Sequence, residues 1–297
     1  MSTARLIFLT AVAMLAFAAN SILNRVALTD STIHPASFTL IRLACGSAFL
    51  LLLVGYSRWR AAASDRASQA FLRMGGRHWS ALCLFLYAAG FSLAYRDLSA
   101  ASGALLLFGS VQLTMVGFAI LRGQRLRGLQ WVGLLAAIVG IGYLLLPGAQ
   151  APHLQPALLM IIAGIAWGAY SLLGRGSASP LADTAANFLL ATPLALLLSA
   201  VLMGPALLDV ASWPLRGVLY ACASGALASA AGYALWYSVL PRMKAATAAT
   251  LQLSVPVLTA IMGMVFLSEA PGERLWIASL LVLGGIFLYL RPVRYSA

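Results

Sequence analysis

Ala16-Phe17-Ala18-Ala19-Asn20-Ser21-Ile22-Leu23-Asn24-Arg25 and Ala166-Trp167-Gly168-Ala169-Tyr170-Ser171-Leu172-Leu173-Gly174-Arg175 lie 150 residues apart, and their likeness decides the fold. Each ends a long apolar run with an aromatic residue, small residues and a closing arginine in the same order. Further pairs keep that order: Ala89-Gly90-Phe91 to Tyr95 matches Ala231-Gly232-Tyr233 to Tyr237, and Ser110-Val111-Gln112 matches Ser254-Val255-Pro256. Trp131, Gly140 and Pro147 likewise match Trp276, Gly285 and Pro292. Any two stretches rich in Ala, Leu and Gly align by composition alone. Aromatic, proline and arginine positions recurring in one order do not follow from composition.

The 297 residues around this repeat are 62% hydrophobic and 9% charged, against roughly 25% charged in a soluble domain. A membrane-crossing helix needs about 20 apolar residues. Runs of that size recur at about 4–24, 35–55, 79–95, 99–121, 129–147, 155–173, 183–203, 215–239, 245–267 and 275–291. The reading is an all-α polytopic membrane protein with ten transmembrane helices. Arg5 followed by an apolar stretch and Ala16-Phe17-Ala18 imitates a secretory signal peptide, but its internal copy marks it as a span. Cys45, Cys83 and Cys222 sit far apart inside apolar runs without neighbouring His, a spacing that speaks against a zinc site or a disulfide framework.

The net charge of +12 would suggest nucleic acid in a soluble chain. Here the charge reads as topology, because cytoplasmic loops collect Lys and Arg, so no nucleic-acid partner is expected. With the N-terminus inside, fourteen basic residues are cytoplasmic: Arg5, Arg58, Arg60, Arg66, Arg73, Arg77, Arg122, Arg125, Arg127, Arg175, Arg242, Lys244, Arg291 and Arg294. Only Arg25, Arg96, Arg216 and Arg274 fall outside, and Arg42 lies within a helix. Both termini are therefore expected in the cytoplasm and the chain in the cell inner (plasma) membrane. Five spans per repeat is odd, so the copy at 151–297 crosses in the opposite sense to the copy at 1–150. Inverted repeats of this kind belong mainly to transporters, with substrate held between the halves.

Two five-helix repeats, the arginine in Phe38-Thr39-Leu40-Ile41-Arg42-Leu43, and the paired segments Gly123-Gln124-Arg125-Leu126 and Ser268-Glu269-Ala270-Pro271-Gly272-Glu273-Arg274-Leu275 resemble the EamA branch of the drug/metabolite transporter superfamily. The likeness is closest to the YddG-type exporters of aromatic amino acids. It implies the EamA fold of two inverted five-helix repeats, and export of small metabolites, aromatic amino acids first, by alternating access through a central cavity. The partners it implies are a small-molecule substrate and the lipid bilayer, with a monomer sufficient and no cofactor or metal. The first repeat departs from the family pattern, having Gln124-Arg125 where an acid is common, while the second keeps Glu269. That acid is therefore not expected to carry transport chemistry.

Residues three and four apart share a helix face, which groups Phe17, Asn20, Ser21 and Asn24 on the first helix and Trp167, Tyr170 and Ser171 on the sixth. Tyr87, Phe91 and Tyr95 recur on the third, and Tyr233, Trp236 and Tyr237 cluster on the eighth, although Tyr and Trp also populate membrane interfaces. Substrate rings are expected on Trp167, Tyr170 and Tyr233, with Asn20, Gln112 and Gln252 bonding the polar end. For the two mid-helix glutamines a bond between helices is an equal alternative. For Arg42, snorkelling or a structural bond to carbonyls is preferred over a substrate carboxylate. His78 stands at the cytoplasmic entrance of the third helix. Pro256 reads as a packing kink, and Ala136, Gly140, Gly284 and Gly285 as a scaffold contact between the fifth and tenth helices.

No span carries a central Asp or Glu, so the expectation is facilitated, gradient-driven export. A broad-specificity drug, cation or nucleoside efflux transporter is the alternative. An intramembrane enzyme comes second, since His34, His78 and His153 all fall at loops or helix ends and Ser110 and Ser254 lack an evident base.

Overall fold

The computed structural model describes residues 2–60, 77–148, 151–175, 177, 179–243 and 245–290. Arg66, Arg73, Lys244, Arg291, Arg294 and Pro292, used above for topology and the repeat, lie outside the described residues. The described chain has ten helices long and apolar enough to cross a membrane. These are α1 (Thr3–Asp30), α2 (Pro35–Arg60), α3 (Arg77–Tyr95), α4 (Ala100–Leu121), α5 (Gly128–Leu145), α6 (Leu154–Leu173), α7 (Pro180–Met203), α8 (Leu215–Val239), α9 (Ala245–Gln252 with Ser254–Leu267) and α10 (Glu273–Leu290).

Proline opens α2 and α7 at the first helical position, where its missing N–H is no loss and its φ is already helical. Some ends differ from the sequence expectation. The first helix runs on to Asp30, past the expected stop at 24, because nothing breaks it before Ser31 and because Arg25 finds an acidic partner that lets it stay in the helix. The break in α9 falls at Leu253, three residues before Pro256. Pro256 cannot donate to the carbonyl of Gln252 and its ring crowds that group, so the winding fails one turn upstream of the proline itself. Leu253 N–H instead donates to Thr250 O at 3.1 Å, a tightened turn.

Packing follows the duplication. α5 lies on α10, α2 on α7 and α4 on α9. α3 packs on α6 as α1 packs on α8, α4 on α6 as α1 on α9, and α3 on α7 as α2 on α8. Exchanging the halves maps the first three interfaces onto themselves and each of the others onto its mate, as a pseudo-two-fold between inverted repeats requires. The α5/α10 interface closes through Gly133, Ala137, Gly140 and Gly285. A Cβ on Gly133 would strike Gly285 O, and one on Gly285 would strike Gly133 O. Gly284 faces open space instead. The outer faces of this pair expose Trp131, Leu135, Val139, Trp276, Leu280 and Phe287, the apolar surface that a lipid environment takes up.

Midway along α8, Ser224–Ala231 is wound as a π-helix. Its i→i+5 turn brings residues five apart onto one face, an arrangement often met at functional sites.

Candidate functional site

Between the halves lies a cavity of 360 Å3 lined by Phe17 of α1, Gln112 and Met115 of α4, Trp167 and Ser171 of α6, Tyr233, Trp236 and Tyr237 of α8, and Ala248 and Gln252 of α9. It extends to the C-terminal ends of α6 and α8, where exposed Arg175 together with Leu240 and Met243 lines it. Trp167 is its pivot. Its ring centroid stands 4.8 Å from that of Tyr87, 5.0 Å from Tyr233 and 5.3 Å from Tyr170, the last pair stacked. Phe17 meets Tyr233 and Trp236 edge-on at 5.8 and 6.2 Å. Such pairs contribute roughly 0.5–1.5 kcal/mol each beyond area burial, so the rings form a stiff wall. Gln112 and Gln252 line the cavity, and neither side-chain amide hydrogen-bonds to another described residue.

Beyond the Phe17, Trp167 and Tyr233 rings a smaller chamber of 20 Å3 continues, lined by Asn20, Ser21, Tyr87, Phe91 and Ala228. That volume suits about one water molecule. Asn20 is engaged at both ends of its amide. Its Oδ1 accepts from Ser224 Oγ at 2.7 Å and from Ser229 Oγ at 3.4 Å, and its Nδ2 donates to Tyr87 Oη at 3.3 Å. The π-turn makes this possible, since Ser224 and Ser229 would diverge on a regular helix. Tyr87 Oη also accepts from Arg42 Nη2 at 3.0 Å, and Ser229 Oγ from Arg42 Nε at 3.2 Å.

The candidate substrate-binding residues singled out in the sequence thus separate by depth. Phe17, Gln112, Trp167, Tyr233, Trp236 and Gln252 line the cavity; Asn20, Tyr87 and Phe91 line the chamber behind it. Tyr170 is buried against Trp167 and accepts from Asn187 Nδ2 at 3.4 Å, so it props the wall. Arg42 neither snorkels nor bonds carbonyls: it is 1% exposed, bonded to two hydroxyls and set over the rings of Tyr87 and Phe91. Groups from α3 and α8 close over it there, which its position in the chain did not disclose. His78 is exposed in the first turn of α3 and is not among the cavity-lining residues.

Other functional features went unread. Met115, Asn187 and the Ser224/Ser229 pair carried no motif of their own, and Arg175 was read only as part of the repeat. Aligning the prolines that open α2 and α7 would have matched Thr39 with Thr184 and Arg42 with Asn187. Cys45 and Cys222, 177 residues apart, meet as free thiols with sulfurs 3.2 Å apart, a proximity that their separation in the sequence did not disclose.

The far end of the bundle is closed. Arg25 Nε pairs with Glu269 Oε1 at 2.8 Å, and Arg25 Nη1 donates to the carbonyls of Tyr95 and Arg96 at 3.0 and 2.8 Å. Glu269 Oε2 accepts the N–H of Ala100 at 2.7 Å, at the start of α4, where the helix dipole favours an anion. This network ties α1, α3, α4 and the α9/α10 connection together. Arg175, the repeat mate of Arg25, is exposed at the opposite, open end. Positive φ at Gly123 and Ser268 aligns the two connections, so Gln124 stands where the second repeat has Glu269.

Residues 154–291 match the EamA-like transporter family. The chain is 50% identical over 289 residues to an uncharacterized protein of Pseudomonas aeruginosa, covering 97% of this chain and 95% of that one. It is 26% identical over 273 residues to the uncharacterized transporter YwfM of Bacillus subtilis, covering 88% and 86%. A solved structure titled only as a crystal structure of a protein superposes with TM-score 0.65 at 20% identity, over 97% of this chain and 98% of that one.

Proposed function

The chain belongs to the EamA-like transporter family, a family of membrane transporters of small molecules, and from that premise we propose that it exports small aromatic metabolites, amino acids foremost, by alternating access. The observation that carries this reading is the ring-lined cavity between the halves. Its 360 Å3 falls within the roughly 300–1,000 Å3 of small-molecule pockets. A substrate ring stacks on Trp167 and Tyr233, and the free amides of Gln112 and Gln252 meet its polar end.

The repeats, 1–150 and 151–297, rock against each other. The Arg25–Glu269 end is then the closed gate and the Arg175 end the open one. The distribution of Arg and Lys puts the open end in the cytoplasm together with both termini, in the inner membrane, which suits loading for export. None of the described carboxylates lies centrally in a span, so the reading has no Asp/Glu proton relay and runs as facilitated transport by a monomer. The cation-efflux alternative fits less well, because the basic residue at the mouth, Arg175, repels cations.

A competition assay in proteoliposomes tests the reading, with labelled L-phenylalanine against amino acids, nucleosides and quaternary amines. Displacement by tryptophan and tyrosine, and not by nucleosides or amines, is expected; the reverse order refutes it.

A further inference from the structure

Arg42 is a full charge in the interior with no counter-charge among the described residues. Its guanidinium is 1% exposed and bonded only to neutral groups, Ser229 Oγ and Tyr87 Oη, with the faces of Tyr87 and Phe91 at 5.2 and 5.1 Å. Nη1 is buried without any hydrogen-bond acceptor. No ion pair joins Arg42 to a described carboxylate. A buried charge left unpaired and a buried donor left unmade both destabilise a fold.

Packing does not require this charge. The pseudo-two-fold places neutral Asn187 at the same point of α7, and its Oδ1 likewise lacks a donor. The framework also holds the arginine tightly. Gly225 of the π-turn lies so close that a Cβ there would strike Arg42 O, and the same turn presents Ser229 to Nε. Tyr87, which shares its hydroxyl between Arg42 and Asn20, is at once a wall of the inner chamber and a ring neighbour of Trp167.

Building on the cavity assigned above, we infer that the transported molecule supplies the missing anion. Its carboxylate is drawn toward the Tyr87 side of the inner chamber, which widens beyond its one-water volume to admit it, and Arg42, behind the Tyr87 hydroxyl, is the counter-charge that selects it. The substrate class is then organic anions and zwitterions, and a purely cationic amine of the same shape is rejected. Arg42 acts as the specificity determinant, through its charge and its unfilled donor, while the rings of the outer cavity select the side chain.

The test measures thermal stabilisation of the purified full-length chain by two matched trios. One is L-phenylalanine, 3-phenylpropanoate and phenethylamine; the other is L-leucine, 4-methylpentanoate and isopentylamine. In the wild type the carboxylate-bearing probes are expected to half-saturate at concentrations about tenfold or more below the amines, as befits a charge-assisted pair. R42Q is expected to erase that difference. R42K, should R42Q fail to fold, keeps the charge but loses the planar fork, and carboxylate affinity is expected to fall about tenfold. Amines binding as tightly as carboxylates in the wild type, no carboxylate stabilising it in either skeleton, or an undiminished carboxylate preference in R42Q or R42K overturns the inference. Equal binding of the leucine and phenylalanine trios would defeat the aromatic reading of the outer cavity while leaving Arg42 in its role.

Discussion

Replacing Glu269 by Gln should loosen the closed end. The change keeps an acceptor oxygen of the same size but removes the charge that Arg25 Nε and Ala100 N–H both bind, at 2.8 and 2.7 Å. Hydrogen bonds to a charged group contribute roughly 1.5–3 kcal/mol each. The pair is partly screened, since the side chains are 17% and 20% exposed, and the amide retains some bonding. A net loss of about 2 kcal/mol results, and at 1.4 kcal/mol per tenfold this multiplies the open population about thirtyfold. The reporter is Ser21→Cys in a chain whose three native cysteines are replaced by Ala. Ser21 is buried on the chamber wall, one helical turn inward of Arg25. A membrane-impermeant thiosulfonate applied from the Arg25 side should label S21C about thirtyfold faster when E269Q is added. An unchanged rate would refute the gate assigned to this ion pair.

Other perturbations reach different parts of the structure. His34, in the α1/α2 connection, is held below its ordinary pKa of 6.5 first by burial and then by Arg96, and its neutral Nδ1 accepts from Ala36 N–H at 3.2 Å. The unfolded chain therefore binds more protons below pH 6.5, so stability is fully present above that value and falls as pH drops beneath it. Thermal unfolding across that range should show the loss in the wild type and not in H34Q. Mild oxidation should join Cys45 to Cys222, whose sulfurs are 3.2 Å apart, stapling α2 to α8; C45A should abolish the mobility shift. Gly285→Val should destabilise by about 1–3 kcal/mol through overpacking at the α5/α10 contact, whereas Gly284→Val, facing open space, should be tolerated in the same unfolding assay.

The spans and their duplication were legible because apolar length, prolines and recurring aromatics are properties of local sequence. The fates of single polar residues were not. Asn20 looked like a ligand-binding amide, yet Ser224 and Ser229 saturate its oxygen, and those serines converge only because α8 unwinds into a π-turn that no periodicity announced. Arg42 near a helix start looked free to snorkel, but groups from α3 and α8 close over it. Arg25 looked like a loop residue until Glu269, 244 positions away, drew it into α1. Trp167, Tyr233, Gln112 and Gln252 were easier, because aromatic and amide side chains deep in spans have few places to go but one another or a cavity.

Counterflow of labelled L-phenylalanine into proteoliposomes preloaded with the unlabelled amino acid, with no ion gradient, bears most directly on the claim that the ring-lined cavity is the transport path. Saturable uptake by the wild type that falls at least about tenfold in Trp167→Ala, the loss of its three ring contacts, is the predicted result. Uptake no greater than in empty liposomes, or unaltered in W167A, would contradict it.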